Sequence, residues 1–308
     1  MRKIFALAML LTLSTLGLTA QNFVIATYNI RLLTNSDYES GNGWNQRYPY
    51  VVKLIRFHKF DIFGTEEGYL SQLNDMKAQL PGFEFIGVGR DDGAEKGEHA
   101  AIFYDTNKFD VLDHGDFWLS EITDRPNKGW DAALPRICTW GKFREKQTGF
   151  TFIYYNLHMD HIGVVARAES AKLILKKVKE DEEREGLPSV LSGDFNVDQR
   201  DSGYKLLAES GLMRDAYEVA DFVYDNVGTW NGFHPDRMSD ARIDHIFLTK
   251  EFHVKRYGIL TDTYRAKIDK TERTEPFMEG PDTEDSKKYT ARTPSDHFPV
   301  MIEVEIEH

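Results

Sequence analysis

The sequence predicts an α/β (α+β) fold in which two largely β sheets pack face to face with helices outside. Three observations predict it. Apolar runs of strand length recur along the chain, helical patterns fall between them only part of the time, and no Pro/Gly/Ser-rich linker divides the 308 residues. Strands that outnumber helices need a second apolar layer to cover them, and two stacked sheets supply it. The length would also allow two domains, but without a linker a single domain over residues 21–308 is the expectation.

The elements follow in chain order. Residues 1–20 differ from the rest. Arg2 and Lys3 precede an apolar run over 4–18, and Thr19-Ala20 close it. A basic start, a short apolar stretch and a small exit residue describe a secretory signal peptide cleaved after Ala20. The run is short for a membrane-spanning helix, which needs roughly 20 apolar residues. No cysteine follows it, so a lipoprotein anchor is excluded. The chain is therefore expected to be exported, to the periplasm or beyond, with no stable membrane insertion after cleavage.

Strands are expected at 23–30, 61–65, 83–88, 100–104, 137–143, 150–157, 189–192, 243–248 and 297–304. Several are rich in Val, Ile, Phe and Tyr, as buried strands are. Helices are expected at 50–60, where Val51, Leu54, Ile55 and His58 share a face, and at 69–80, where Leu70, Leu73 and Met76 do. A third covers 164–184, with Ala168, Ala171, Ile174, Leu175 and Val178 on one stripe. The charged run 176–185 reads as the solvated face of that helix. The polar stretch 261–294 is long for a loop and reads as an insertion, either a lid over a site or a plain flexible segment.

Composition narrows the function classes. Hydrophobic residues make up 41% and charged ones 29%, which fits a folded chain and excludes a disordered one. The formal charge is −12, and loss of Arg2 and Lys3 leaves 36 basic against 50 acidic side chains, a mature charge of −14. Nonspecific duplex binding draws on Lys and Arg, and no basic run of five exists here. A phosphorylated small molecule suits the balance better. One cysteine, Cys138, excludes an internal disulfide and a cysteine-based zinc cluster, and reads as a core thiol.

One pattern repeats at the strand ends. The run 23–28 meets Asn29, and 61–65 meets Glu66-Glu67. The run 152–155 meets Asn156-Leu157-His158-Met159-Asp160-His161, and 190–193 meets Asp194-Phe195-Asn196. Asp244 sits inside an apolar strand, and Ser295-Asp296-His297 opens the last one. Any one of these is an ordinary turn. Six in one chain are not, because carboxylates beside apolar strands are costly unless paired or bound to metal. An oxygen-rich set with His and no Cys suits a hard cation, Mg²⁺ or alternatively Mn²⁺, and so metal-assisted phosphoryl chemistry.

The ordered motifs Thr27-Tyr28-Asn29-Ile30-Arg31, Gly64-Thr65-Glu66-Glu67-Gly68, Asn156-Leu157-His158-Met159-Asp160-His161, Gly193-Asp194-Phe195-Asn196, Arg242-Ile243-Asp244 and Ser295-Asp296-His297-Phe298-Pro299-Val300 resemble those of the endonuclease/exonuclease/phosphatase superfamily. The likeness spans residues 23–304. Segments 87–93 and 129–136 further resemble a secreted bacterial branch. The resemblance implies a four-layer αββα sandwich of two mixed, mainly antiparallel sheets with outer helices.

It also implies roles. Glu67 matches the metal-binding glutamate, with Asn29 beside it and Asp296 as a second metal-side carboxylate. Asp194 would orient or deprotonate the attacking water, and Asn196 would hold a phosphate oxygen. His297 would contact the phosphate or act as base, with Asp244 fixing its tautomer. His158 would face the leaving oxygen or the transition-state charge. Glu66 stands where the family usually has Gln.

Arg90, Arg136 and Asp160 are candidate substrate contacts, the arginines as bidentate phosphate partners or as structural ion pairs. Glu98 and His99 precede the apolar run 100–104 and read as a strand-end turn, with a place in the lining of the site as the alternative. Trp44 and Arg47 read as anchors of the following helix. A zinc site at His158-Met159-Asp160-His161 is disfavoured because Asn156 stands where the preceding histidine would be. The resulting expectation is a monomeric, exported, Mg²⁺-dependent phosphoesterase acting on a phosphodiester or a phosphorylated small molecule. A nuclease on DNA or RNA and a sphingomyelinase-like phosphodiesterase are the alternatives within catalysis, and a non-catalytic binding protein the alternative outside it. Specificity is expected in the loops 32–47, 90–98, 120–135, 226–240 and 261–294, with Trp230, Phe233 and His234 as ring-stacking candidates.

Overall fold

The computed structural model describes residues 21–267 and 289–306. The expected signal segment 1–20 and the middle of the polar stretch, 268–288, lie outside the described residues. The described elements begin β1 (Gln21–Asn29), α1 (Asn35–Glu39), α2 (Trp44–Phe57), β2 (Ile62–Gly68), α3 (Leu70–Gln79), β3 (Phe83–Ile86), β4 (His99–Asp105), β5 (Phe109–Trp118), β6 (Ile137–Glu145) and β7 (Thr151–His158). They continue with α4 (Val164–Glu185), β8 (Ser189–Asp194), α5 (Ser202–Ala208), β9 (Arg214–Asp215), α6 (Ala216–Val219), β10 (Val223–Tyr224), β11 (Asp244–Leu248), β12 (Phe252–Ile259), β13 (Tyr264–Lys267), β14 (Tyr289–Arg292) and β15 (Val300–Ile306).

Two mixed sheets result. One has the order β10-β12-β15-β1-β2-β4-β3 and the other β5-β6-β7-β8-β11-β9. Three pairs are parallel, β1 with β2, β7 with β8 and β10 with β12, and the remaining pairs are antiparallel. Between the sheets lie Ile25, Ile62, Ile102, Phe143, Phe152, Tyr154, Val190, Ile246 and Ile302. On the outer face of the first sheet, α2 and α3 bury Val51, Leu54, Ile55, Leu73 and Met76 against Tyr28, Phe63 and Phe103. On the outer face of the second, α4 and α5 bury Ile174, Val178 and Leu207 against Tyr155, Leu191 and Phe247. The central strands are thus covered on both faces, which is why they read as continuous apolar runs.

Strands β5 and β12 escaped the sequence reading. The middle of β5, Leu112-Asp113-His114, is exposed, and its edge position needs no apolar run. The sequence of β12, Phe-His-Val-Lys-Arg-Tyr, mixes the two patterns. Helix α2 starts six residues before the expected Tyr50, because Gln46 Oε1 accepts the Gly43 N–H at 2.7 Å and closes the first turn. The two described ends of the polar stretch pair as the hairpin β13–β14. Cys138 is buried in β6, and burial pushes its thiol pKa well up, as a core thiol requires.

A buried polar network ties the sheets together. Tyr154 Oη donates to Ala26 O (2.9 Å) and accepts from Gly64 N (3.1 Å) and from Ser192 Oγ (2.8 Å). Asn156 Nδ2 donates to Thr65 O and Ala101 O, both at 3.2 Å. The asparagine crosses between sheets over Gly64, where a Cβ would stand 2.0 Å from its Oδ1. Gly64→Ala is therefore expected to cost about 1–3 kcal/mol through overpacking. A urea midpoint equal to that of wild type would contradict this.

Candidate active site

The register brings the polar strand ends to one place. In the parallel β1–β2 pair Asn29 lies opposite Glu66, and in the parallel β7–β8 pair His158 lies opposite Asp194. Strand β11 runs antiparallel to β8 and sets Asp244 opposite Asp194. Strand β15 runs antiparallel to β1, with Val300 opposite Thr27, so Ser295-Asp296-His297 arrive beside the end of β1. A cavity of about 440 Å³ opens there, and Glu67, His158, Asp194, Asn196, Asp296 and His297 are on its wall.

Backbone strain marks the same place. Arg31, Glu67 and Asn196 all take left-handed φ, at 60°, 65° and 51°, and all three line the cavity. Such values are uncommon outside glycine and persist where the surroundings enforce them. At Glu67 the turn coincides with a register break between Thr65 and Gly68 in the β2–β4 pair. It separates two consecutive glutamates. Glu67 turns to the cavity, while Glu66 is buried between the sheets and accepts from Thr27 Oγ1 at 3.1 Å. Burial and then the charges of Asp244 and Asp194 raise the Glu66 pKa well above the usual carboxylate range. A protonated Glu66 is a donor and acceptor much as glutamine is.

Asn29 Nδ2 donates to Glu67 Oε1 (3.1 Å) and to Asp194 Oδ2 (3.0 Å), while its Oδ1 accepts Arg31 N (3.0 Å). Asn29 thus orients the two carboxylates. Arg31 Nη1 stands 3.8 Å from an oxygen of Glu67 and 3.8 Å from one of Asp296, between the two. Arg47, fully buried beneath, donates to the carbonyls of Ile30, Arg31 and Asn42 and holds the Arg31 turn.

His297 Nδ1 meets Asp244 Oδ2 at 2.9 Å, and its Nε2 lies 3.9 Å from Asp194 Oδ2. Burial alone would lower the His297 pKa, but the charges of Asp244, Asp194 and Asp296 outweigh it and hold the pKa well above its usual value. His158 goes the other way. Burial, with the charges of Arg136 and Arg90 behind it, pushes its pKa well below the usual value. Burial also raises Asp194 and Asp296, to which Asp244 and Glu67 respectively add repulsion. The two histidines are thus set apart in proton affinity beside two acids that are both raised, an arrangement suited to acid–base work.

Asn196 N donates to Asp194 Oδ1 at 2.9 Å and fixes that carboxylate. Of the two readings of Glu98, the alternative holds: it lines the cavity, with an oxygen 3.6 Å from His158 Nδ1. Burial raises its pKa to about 7 against the pull of Arg90. No local signal separates this glutamate from an ordinary strand-end acid.

Two expected substrate contacts are elsewhere. Arg90 forks onto both oxygens of Glu98 (2.7 and 2.6 Å) and is not on the cavity wall. Asp160, 1% exposed, accepts the N–H groups of Ala133, Leu134, Ile162 and Gly163 and the Nε–H of Arg136. Its oxygens are consumed by the loop and the approach to α4, so it is closed to substrate. Arg136, in contrast, borders the cavity.

The carboxylate oxygens of the site fit a hard divalent ion. Oxygens of Glu67 and Asp194 and a ring nitrogen of His297 lie within 4.8 Å of one another. Asp296 lies across Arg31, and a cation would offset the cost of burying these carboxylates, which raises their pKa values, and the repulsion added by their neighbours.

Residues 26–297 match the Endonuclease/Exonuclease/phosphatase family. Among solved structures, the chain is similar to an endonuclease/exonuclease/phosphatase family protein from Bacteroides thetaiotaomicron, at 52% identity over 93% of this chain and 96% of that one, with a TM-score of 0.85. It is likewise similar to a Bacteroides thetaiotaomicron mannosyl-6-phosphatase, at 52% identity over 92% and 99% of the two chains, with a TM-score of 0.84. A family member from Bacteroides vulgatus shares 36% identity over 93% and 100%, with a TM-score of 0.78. No curated protein matches it in sequence. Among the described residues no helix is long and apolar enough to cross a membrane.

Proposed function

The chain belongs to the endonuclease/exonuclease/phosphatase family, and from that premise we propose that it is a divalent-metal-dependent phosphomonoesterase acting on a phosphorylated sugar. The observation that carries the reading is the pairing of two histidines of opposed proton affinity with crowded carboxylates at the end of a cavity of about 440 Å³. A cavity of that size suits one small ligand. The 52% identity to a protein described as a mannosyl-6-phosphatase supports the sugar phosphate, and the net charge of −12 weighs against nucleic acid.

Glu67 and Asp296 would hold the ion, with Asp194 in reach. When bound, it would offset charge on the phosphoryl oxygens and favour attack by water. Asp194, fixed by Asn29 and by Asn196 N, is the acceptor for a proton from that water, and its raised pKa makes it a better base than an ordinary carboxylate. His297, charged and held through Nδ1 by Asp244, presents Nε2 to the phosphoryl group as a charged donor. His158, neutral, sits on the other side of Asp194 with Nε2 3.6 Å from Oδ2. Attack by water, which gives a proton to Asp194, forms one P–O bond as the ester P–O bond breaks; the leaving sugar oxygen takes a proton from solvent, and Asp194 returns its own to solvent.

The test is phosphate release from mannose 6-phosphate by the purified protein with Mg²⁺, with Mn²⁺ and with EDTA. We expect turnover with metal and at least a hundredfold loss in EDTA. Release from no monoester under any of these conditions, with cleavage of bis-p-nitrophenyl phosphate or plasmid DNA instead, would sink the monoesterase reading. We also propose export after cleavage at Ala20. A mature protein whose N-terminal sequencing does not begin at Gln21 would contradict that cleavage.

A further inference from the structure

Part of the cavity wall is left unused by the hydrolytic machinery. It is formed by Leu134, Arg136, His161 and Trp230. Three of these are exposed, His161 among them, with Leu134 at 38% and Trp230 at 44%. Arg136 is 4% exposed, with Nη1 buried and without a partner, and it fixes the ring beside it: its Nη2 lies 2.9 Å from His161 Nδ1. A guanidinium can only donate, so Nδ1 is the acceptor and the neutral ring carries its proton on Nε2. The outer nitrogen of His161 is thereby made a donor held in one orientation. Asp160 anchors the assembly through Arg136 Nε and the N–H of Leu134.

Trp230 is held just as firmly on the catalytic side. It forms a backbone bridge with His297, and its neighbours Asn231 N and Gly232 N donate to Asp296 O at 2.8 and 3.0 Å. Phe298 N donates to Thr229 O at 2.7 Å. Arg237 packs over the indole at 4.3 Å. The ring is thus tied by backbone to the motif that carries His297, while its exposed part lines the cavity.

A flat aromatic face and an oriented N–H donor form a set that reads a ring bearing both C–H and O–H groups. Resting on the phosphomonoesterase reading, we propose that His161, positioned by Arg136, and Trp230 form the subsite for the leaving sugar and set the preference for a glycosyl phosphate over simple alkyl phosphates. The indole packs against the C–H face of the pyranose, and His161 Nε2–H donates to a ring hydroxyl. A site built to pair with a hydroxyl discriminates strongly against a substrate lacking it.

The experiment compares kcat/KM for mannose 6-phosphate and for ethyl phosphate, whose leaving group is also an alcohol but has no ring and no further hydroxyl. In the wild-type holoenzyme the sugar phosphate is expected to be preferred. His161→Ala and Trp230→Ala should each cut that preference about tenfold. His161→Gln, which keeps a donor, and Trp230→Phe, which keeps a ring, should restore most of it. Equal losses on both substrates, no loss on the sugar phosphate, or a wild type without preference would overturn the subsite. Each of these outcomes retains metal-dependent monoester hydrolysis in the wild type. A wild type that releases phosphate from neither compound instead overturns the reading beneath. Thermal melts of the four variants matching wild type would separate lost recognition from lost folding.

Discussion

Asp194→Asn abolishes phosphate release, lowering kcat about a thousandfold or more, without lowering the Tm measured in EDTA. The first half follows from its place. The carboxylate lies 3.9 Å from His297 Nε2 and 3.6 Å from His158 Nε2, and Asn29 and Asn196 N fix it there. Removal of a positioned base costs about 10²–10⁴ in rate, and removal of its charge disturbs the charged His297 as well. The second half follows from its environment. Burial and the Asp244 charge raise its folded pKa. A carboxyl raised in the folded state binds more protons there than in the unfolded chain. Stability then falls as pH rises from the ordinary carboxylate range, about 3.9, towards the raised folded value, and the cost persists above it. Asparagine carries no charge to bury. Melts in EDTA between pH 4 and 8 should show a flatter profile for the variant. Turnover within tenfold of wild type would remove Asp194 from the machinery, and a large drop in Tm at neutral pH would refute the electrostatic account. His297→Ala makes the contrast. It loses turnover too, but it leaves Asp244 buried without its 2.9 Å partner and so loses stability as well.

Asp160→Ala is expected to cost about 3–5 kcal/mol, because it leaves Arg136 buried without its counter-charge. In a domain of this size that lowers Tm by roughly 5–8 °C. The loss is larger than that of a surface ion pair because the four backbone N–H groups on the same carboxylate are stranded with it. The pH dependence has the opposite sign to that of Asp194. Burial raises the Asp160 pKa, but the N–H groups of Gly163, Ala133 and Ile162 and the Arg136 charge outweigh it and hold the pKa well below the usual range. Its contribution is therefore fully present above about pH 3.9 and is lost as pH falls through the depressed folded value. Wild type and variant should differ by a constant amount from pH 5 upward, by urea denaturation. A difference below 1 kcal/mol would reduce Asp160 to a loop residue of no consequence.

Much of this was legible in the chain. Continuous apolar runs announced strands buried on both faces, and β7, β8 and β11 are such strands. The helix expected at 164–184 is α4, Val164–Glu185, because its apolar stripe and charged tail agree in period. The strand-end clusters foretold where Asn29, Glu67, His158, Asp194, Asp244, Asp296 and His297 meet, since adjacent strand ends gather wherever their registers match. Edge strands were not legible, because a half-exposed strand such as β5 has no pattern that sets it apart from a loop.

Patterning by itself determined two packed sheets with helices outside, and residue type the oxygen-rich character of the strand ends; the four layers came from the family resemblance. The first two depend on local periodicity and residue type, which a sequence holds in full. Only the tertiary structure decided that Glu67 and not Glu66 faces the cavity, that Arg90 serves Glu98, that Asp160 serves Arg136, and that Asn29 bridges two carboxylates. Such choices rest on one left-handed turn, one register break and contacts between residues far apart in the chain. Side-chain direction at a bulge and the partner of a buried charge are set by what packs around them, and no run of neighbouring residues encodes that.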